Sequence, residues 1–233
     1  MSLVIPMVIF MQQHLVAEGS TLVAKKMQYD LNSQQLFYGV SPEKRHKIFQ
    51  LAIAHTSIDN IENYHRLLLW LWSGVYREER YLALDAGEYY PEYQTLASFD
   101  VYLEMLETAD NVDTLDRLVT NLIGKVILQE PDLERYLIQW RESDSVWLKR
   151  ASVLAHLHHK QQTNITLLCE TILFLAADKS QLVQQAMGQV LNTYRDVDAA
   201  FVDNFITNNM ARLTPLCQRE ARKLTMMVNN TVE

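Results

Sequence analysis

Cysteine, glycine and proline are all scarce in this chain, at two, six and five of 233 residues. Cys169 and Cys217 form no Cys-x-x-Cys pair and stand at no Cys/His spacing, so the patterns of a disulfide framework or a zinc site are missing. Both are expected to be core thiols in a reducing cytoplasm. With so few glycines there is no phosphate-cradling loop and no Gly-x-Ser-x-Gly elbow, which removes the common nucleotide and hydrolase signatures. No apolar run approaches the roughly 20 residues that a membrane-spanning helix needs. The stretch from Leu3 to Met11 has no basic leader, is interrupted by Pro6 and offers no small-residue cleavage site, so it reads as a packing helix rather than a secretory signal. Positive charge is also short: 21 Lys and Arg face 28 Asp and Glu, for a net charge of −7. An overall basic footprint for nucleic acid is therefore lacking.

What the chain does have is helical periodicity. Apolar residues recur at three- and four-residue intervals, as in Leu133, Tyr136, Leu137, Trp140 or Val197, Phe201, Phe205. Ser41-Pro42 and Ser98 read as helix starts, and Glu130-Pro131-Asp132 ends one helix and begins another. No alternating strand pattern appears. These features predict an all-α protein of about a dozen helices of ten to sixteen residues. With no linker-like shift in composition, residues 1–233 are expected to be a single domain and a monomer.

The helices also repeat. Ala151, Ala186 and Ala221 follow at steps of 35 residues, each four after Trp147, Leu182 and Cys217, and the same phase extended backwards lands on Val112. Ser145 and Ser180 stand two residues before their anchors, as N-caps would, with Pro215 in the matching place of the last copy. A period near 35 predicts stacked helix pairs of the HEAT or ARM kind, a superhelical solenoid that binds on one face. Two copies break their own pattern. The alanine slot holds Asp116 in the earlier copy, where a buried carboxylate would need a partner. The slot of Val119, Leu154 and Leu224 holds Gln189, which suggests a cleft-facing side chain. Arg150, next to Lys149, has the fork geometry to hold a phosphate or carboxylate.

At these residues the chain resembles the AlkD-like DNA alkylation repair proteins, HEAT-like-repeat glycosylases that excise cationic alkylated purines. The resemblance rests on Phe37-Tyr38-Gly39-Val40-Ser41-Pro42-Glu43-Lys44-Arg45, on Leu71-Trp72 with Arg77-Glu78 through Ala83-Leu84-Asp85, and on Asp113-Thr114-Leu115-Asp116. It continues through Ser145 to Arg150 and Leu213 to Ala221, so five segments stand in order along almost the whole chain. The resemblance implies a DNA substrate, a carboxylate that supports the sugar cation during bond cleavage, an arginine on the backbone, and two tryptophans lining the lesion. Asp116 and Arg150 match the first two. The tryptophan positions carry Val112 and Gln189, and a basic pair before the second is replaced by Gln184 and Gln185. A cationic purine gains about 0.5–2 kcal/mol from each indole face, and valine offers none of this. The family also includes members without excision activity.

Three readings follow. In the first, the protein binds duplex DNA, alkylated or branched, with base excision absent or altered. In the second it remains an alkylpurine glycosylase that uses Asp116, with Tyr76 or Tyr90 replacing the tryptophans. In the third it is a protein-interaction scaffold whose acidic stretch from Glu78 to Asp113 recruits a basic partner. Local basic groups, Lys44 and Arg45, Lys149 and Arg150, and Arg219 and Arg222, would supply a DNA footprint despite the acidic total. Val112, Gln185 and Gln189 would line the cleft. Trp70, Trp72, Trp140 and Trp147 fall at packing positions, and His156, His158 and His159 lack an acidic third ligand, so neither a metal nor a cofactor is expected.

Overall fold

The computed structural model describes residues 4–223, and these are all-α apart from turns and one isolated bridge between Leu36 and Tyr76. The chain divides into two compact units, the first ending at Gln129 and the second beginning at Glu130. The division falls at the Glu130-Pro131 punctuation, where proline cannot continue the preceding helix.

The first unit contains α1 (Val4–Glu18), α2 (Thr21–Leu31), α3 (Pro42–His55), α4 (Ile61–Trp72), α5 (Arg77–Tyr89), α6 (Phe99–Glu107), α7 (Val112–Leu118) and α8 (Gly124–Gln129). Helices two apart stack on one another, α3 on α5, α5 on α7 and α4 on α6, while α4 and α5 pair directly. This is the arrangement of a helical repeat, with each pair burying its apolar faces against its neighbours. Leu67, Leu68 and Leu71 of α4 and Leu82 of α5 are buried, each stabilising the fold by about 1.5–3 kcal/mol. Between α7 and α8 the backbone runs through a π turn, Val119–Ile123, an irregularity common beside functional residues.

The entry to α3 is fixed by a carboxylate. Glu78, almost fully buried, accepts the backbone N–H groups of Tyr38, Gly39 and Val40 at 3.0, 2.8 and 3.1 Å. Gly39 has φ of +81°, and a Cβ there would lie 2.1 Å from the Ser20 carbonyl, so only glycine fits. Ser41 then caps α3 through the Lys44 N–H, with Pro42 at the first helical position.

The second unit contains α9 (Glu134–Arg141), α10 (Val146–Leu154), α11 (Ile165–Phe174), α12 (Gln181–Asn208) and α13 (Pro215–Ala221). Here α9 stacks on α11 and α10 on α12, and α13 lies along α12. Asp198 leaves helical geometry at φ −150° and ψ 90°, and its carboxylate accepts the Phe201 N–H at 2.8 Å. It caps a second helix joined to the first, so α12 is longer than the sixteen residues expected. The 35-residue phase holds, but its caps drift: Ser145 and Ser180 precede α10 and α12 as expected, whereas Thr214 caps α13 and Pro215 follows it. Asn111 caps α7. Ala151, Ala186 and Ala221 are all fully buried, as repeat-core positions should be. Leu224 lies outside the described residues.

Candidate functional site

In the second unit, Arg150, Gln185, Gln189, Asn192, Glu220 and Lys223 line one pocket of about 410 Å³. It exists because α13 approaches α12 closely. A Cβ on Gly188 would lie 2.4 Å from the Glu220 Cβ and 2.7 Å from the Cys217 carbonyl, so glycine sets the helix separation. Gln185 and Gln189, one turn apart and exposed, form one wall. Asn192 extends that wall and donates to the carbonyls of Ala221 and Lys223 at 3.1 and 2.7 Å, closing the end of α13.

Arg150 is only 5% exposed, so it is not a plain surface cation. Its Nη1 donates to the Leu182 carbonyl, which aims the guanidinium into the pocket. A buried, positioned fork suits bidentate contact with a phosphate. Lys223 and then Arg219 hold the Glu220 carboxyl below the usual carboxylate range, so it stays ionised among these cations. Arg219 and Arg222 are exposed on the same short helix end.

The remaining residues singled out from sequence divide. Lys149 bonds Asp178 at 2.9 Å, and Lys44 pairs with Glu18 at 2.7 Å on the surface. Arg45 reaches Asp85 at 3.2 Å and lies 4.7 Å from the centre of the Tyr81 ring. Asp116 is half-buried on the last turn of α7, directly before the π turn, with Val112 one turn earlier and also half-buried. The alanines in the same slot of other copies are fully buried, so the carboxylate is more accessible than its siblings.

Tyr90 and Trp70 depart from expectation, and Gln184 proves to be internal. Gln184 is buried, donating to the carbonyls of Asp178 and Leu175 at 2.8 and 3.3 Å and accepting from Thr214 at 2.7 Å, so it buttresses the α12 start and faces no phosphate. Tyr90 is 6% exposed with its hydroxyl against the Ile58 N–H, which leaves no ring face for a lesion. Trp70 is 42% exposed rather than packed, and Trp147 is half-buried. The acidic stretch is largely consumed internally: Glu78 and Glu79 are buried, while Asp85 and Glu88 each bond Arg117 at 2.7 Å.

Sequence reasoning also missed the strongest charge cluster in the first unit. Arg77, with no exposed surface, donates Nη1 to Asp110 at 2.5 Å and Gln35 at 3.1 Å, and Nη2 and Nε to Asp113. Burial opposes the charge, but Asp113 and then Asp110 outweigh it and push the guanidinium above its ordinary range. Beside this cluster is a cleft of about 460 Å³ lined by Leu31, Phe37, Pro42, Arg45, Tyr81 and Asp113 among others. The i, i+4 spacing of Arg77, Tyr81 and Asp85 on α5 could have revealed the ladder.

Residues 11–225 match a protein family described as DNA alkylation repair enzyme. The chain belongs to the DNA alkylation repair family. A solved structure described as a predicted DNA alkylation repair enzyme from Enterococcus faecalis superposes with a TM-score of 0.79 at 18% identity, covering 90% of this chain and 98% of that one. At that identity the likeness speaks for the fold. Among curated proteins no significant match is found. In this family member the pocket around Arg150 is lined by polar and charged residues, and Gln189 stands among them where the AlkD-like resemblance implies an indole. Among the described residues no group of His, Cys, Asp and Glu could hold a metal ion, and no helix is long and apolar enough to cross a membrane. Cys169 and Cys217 are free, and burial pushes their thiols up to about 11 and about 12, so both are poor nucleophiles.

Proposed function

We propose that this protein is a DNA-binding member of the DNA alkylation repair family in which base excision is absent or altered. The polar lining of the Arg150 pocket carries this reading. The guanidinium, amides and ammonium can hold phosphate and sugar oxygens, with the Glu220 carboxylate met by Lys223 and Arg219, and no aromatic ring lines the pocket for a cationic purine. Arg150 is the phosphate contact, and the exposed Arg219 and Arg222 add electrostatic attraction that does not depend on sequence. Lys44, Arg45, Lys149 and Arg219 each also pair with a carboxylate, which lowers their contribution.

A second reading keeps the glycosylase, on the observation that Asp116 is half-buried while the alanines in its slot are fully buried. An ionised Asp116 would stabilise positive charge growing on the sugar as the base departs. The deciding experiment measures methylated-purine release from alkylated duplex DNA beside binding to the same DNA at low and moderate salt. Salt-sensitive binding without release is expected. Release that disappears in Asp116→Asn would replace this reading with the glycosylase, and absence of both binding and release would favour a protein-interaction scaffold.

A further inference from the structure

The first unit also holds a pocket of about 320 Å³ lined by Gln12, Tyr38, Trp70, Ser73, Gly74, Val75, Tyr76 and Glu79. Three of its eight lining residues are aromatic. Tyr38 and Tyr76 stack on each other at 3.8 Å between centroids and 18° between planes, which fixes both rings, while Trp70 is 42% exposed at the end of α4. The base is a carboxylate. Glu79 is 2% exposed and accepts from the Gln12 amide at 2.5 Å and the Tyr76 backbone N–H at 2.9 Å, both neutral donors. Its neighbour Gly74 is part of the design: a Cβ there would meet the Glu79 carboxylate at 2.3 Å, so glycine lets the carboxylate reach the pocket floor.

Burying an ion is costly unless a counter-charge meets it. The start of α5 supplies part of the compensation, since Glu79 lies in its first turn. The negative charge is nevertheless felt within the pocket: after burial itself, Glu79 is the largest influence raising the Tyr38 phenol above its ordinary range. Aromatic faces around a buried carboxylate are the chemistry that recognises an organic cation, because ring quadrupoles and the carboxylate both favour positive charge while the rings accept methyl groups. A hydrated metal ion would need oxygen ligands, and an anion would be repelled by Glu79.

We propose that this pocket is a binding site for a quaternary alkylammonium group, held between Trp70 and the Tyr38–Tyr76 pair above Glu79. The group can belong to a free quaternary amine or to a trimethylated lysine of a partner. It is separate from the Arg150 pocket and stands whether or not the DNA reading holds.

The test titrates the intact protein with tetramethylammonium chloride while following the Trp70 indole N–H resonance by NMR, assigned by its loss in Trp70→Leu. Sodium chloride at equal ionic strength and neutral 2,2-dimethylpropanol, which has nearly the same shape, serve as controls. A saturable shift with a dissociation constant on the order of millimolar is expected for the cation, with none from the controls. The Trp72 indole N–H, buried and bonded to the Thr108 hydroxyl, reports that the first unit of each variant remains folded. Glu79→Gln keeps an acceptor for the Tyr76 N–H and should weaken binding about tenfold. Tighter binding of a trimethyllysine peptide than of tetramethylammonium would assign the source to a protein partner, and equal binding would assign it to a free amine. No saturable shift, an equal shift from the neutral isostere, or unchanged affinity in Glu79→Gln would each overturn the proposal.

Discussion

Arg77 and Arg150 are both arginines of repeat helices with almost no exposed surface, one in each unit, yet their surroundings give them different tasks. Arg77 sits among Asp110, Asp113, Gln35 and Thr114, so its donors are committed to the fold and its charge is met where it stands. Arg150 is aimed by a backbone carbonyl and lines an open polar pocket. Burial alone therefore does not separate a structural arginine from a binding one. What differs is where the guanidinium is placed: that of Arg77 bonds Asp110 and Asp113, and that of Arg150 lines a cavity.

The largest expected effect breaks the first half of this comparison. Arg77→Met removes the donors shared by Asp113, Asp110 and Thr114 and should cost about 2–3 kcal/mol in urea unfolding, less than for a fully buried pair because Asp110 is half exposed and keeps Arg80. A loss below about 1 kcal/mol would mean that the ladder is not a structural spine.

Next comes the pH dependence of stability. Burial, and then the nearby His159, push His156 down to about 3, and both of its ring nitrogens lack a hydrogen-bond partner among the described residues. The unfolded chain takes up a proton near pH 6.5 that the folded chain refuses until about pH 3, so this contribution is complete above about pH 6.5 and is lost as pH falls below it. The unfolding free energy should drop by about 1.4 kcal/mol per pH unit between about pH 6 and 4 from this group alone. His156→Phe should remove that component of the slope; an identical slope in the variant would place the acid sensitivity elsewhere.

The second half of the comparison is sharpened by Arg150→Ala, which should weaken DNA binding and reduce the salt slope by about one unit, while Arg150→Lys keeps most of the slope. An unchanged slope would make Arg150 structural, like Arg77. The smallest effect is expected from Lys44→Ala. Its exposed, solvent-screened pair with Glu18 should leave the thermal unfolding midpoint almost unchanged, and DNA affinity should change little.

Much of the fold could be read from the residues, because helical period, caps and a 35-residue phase are local properties. Ala151, Ala186 and Ala221 were placed in the repeat core by spacing alone, whereas the Glu130-Pro131 break was read only as a helix boundary and not as the division between two units. The site was legible in part. Arg150, Gln185 and Gln189 line one pocket; repeat phase singled out Gln189, and the resemblance pointed to the other two. Gln184 escaped, since neighbouring residues on a helix point about 100° apart and only packing against Thr214 reveals which one is inside. The Arg77 cluster and the Trp70 pocket escaped as well, because their members come from separate helices and loops.

By itself, the sequence determined the all-α class, the repeat, the helix starts and the family, since these depend on patterns that neighbouring residues carry along the chain. The tertiary structure decided which charges are neutralised, which glutamine faces solvent and which aromatics remain open. Those outcomes depend on the local dielectric and on partners tens of residues away, and a linear pattern specifies neither.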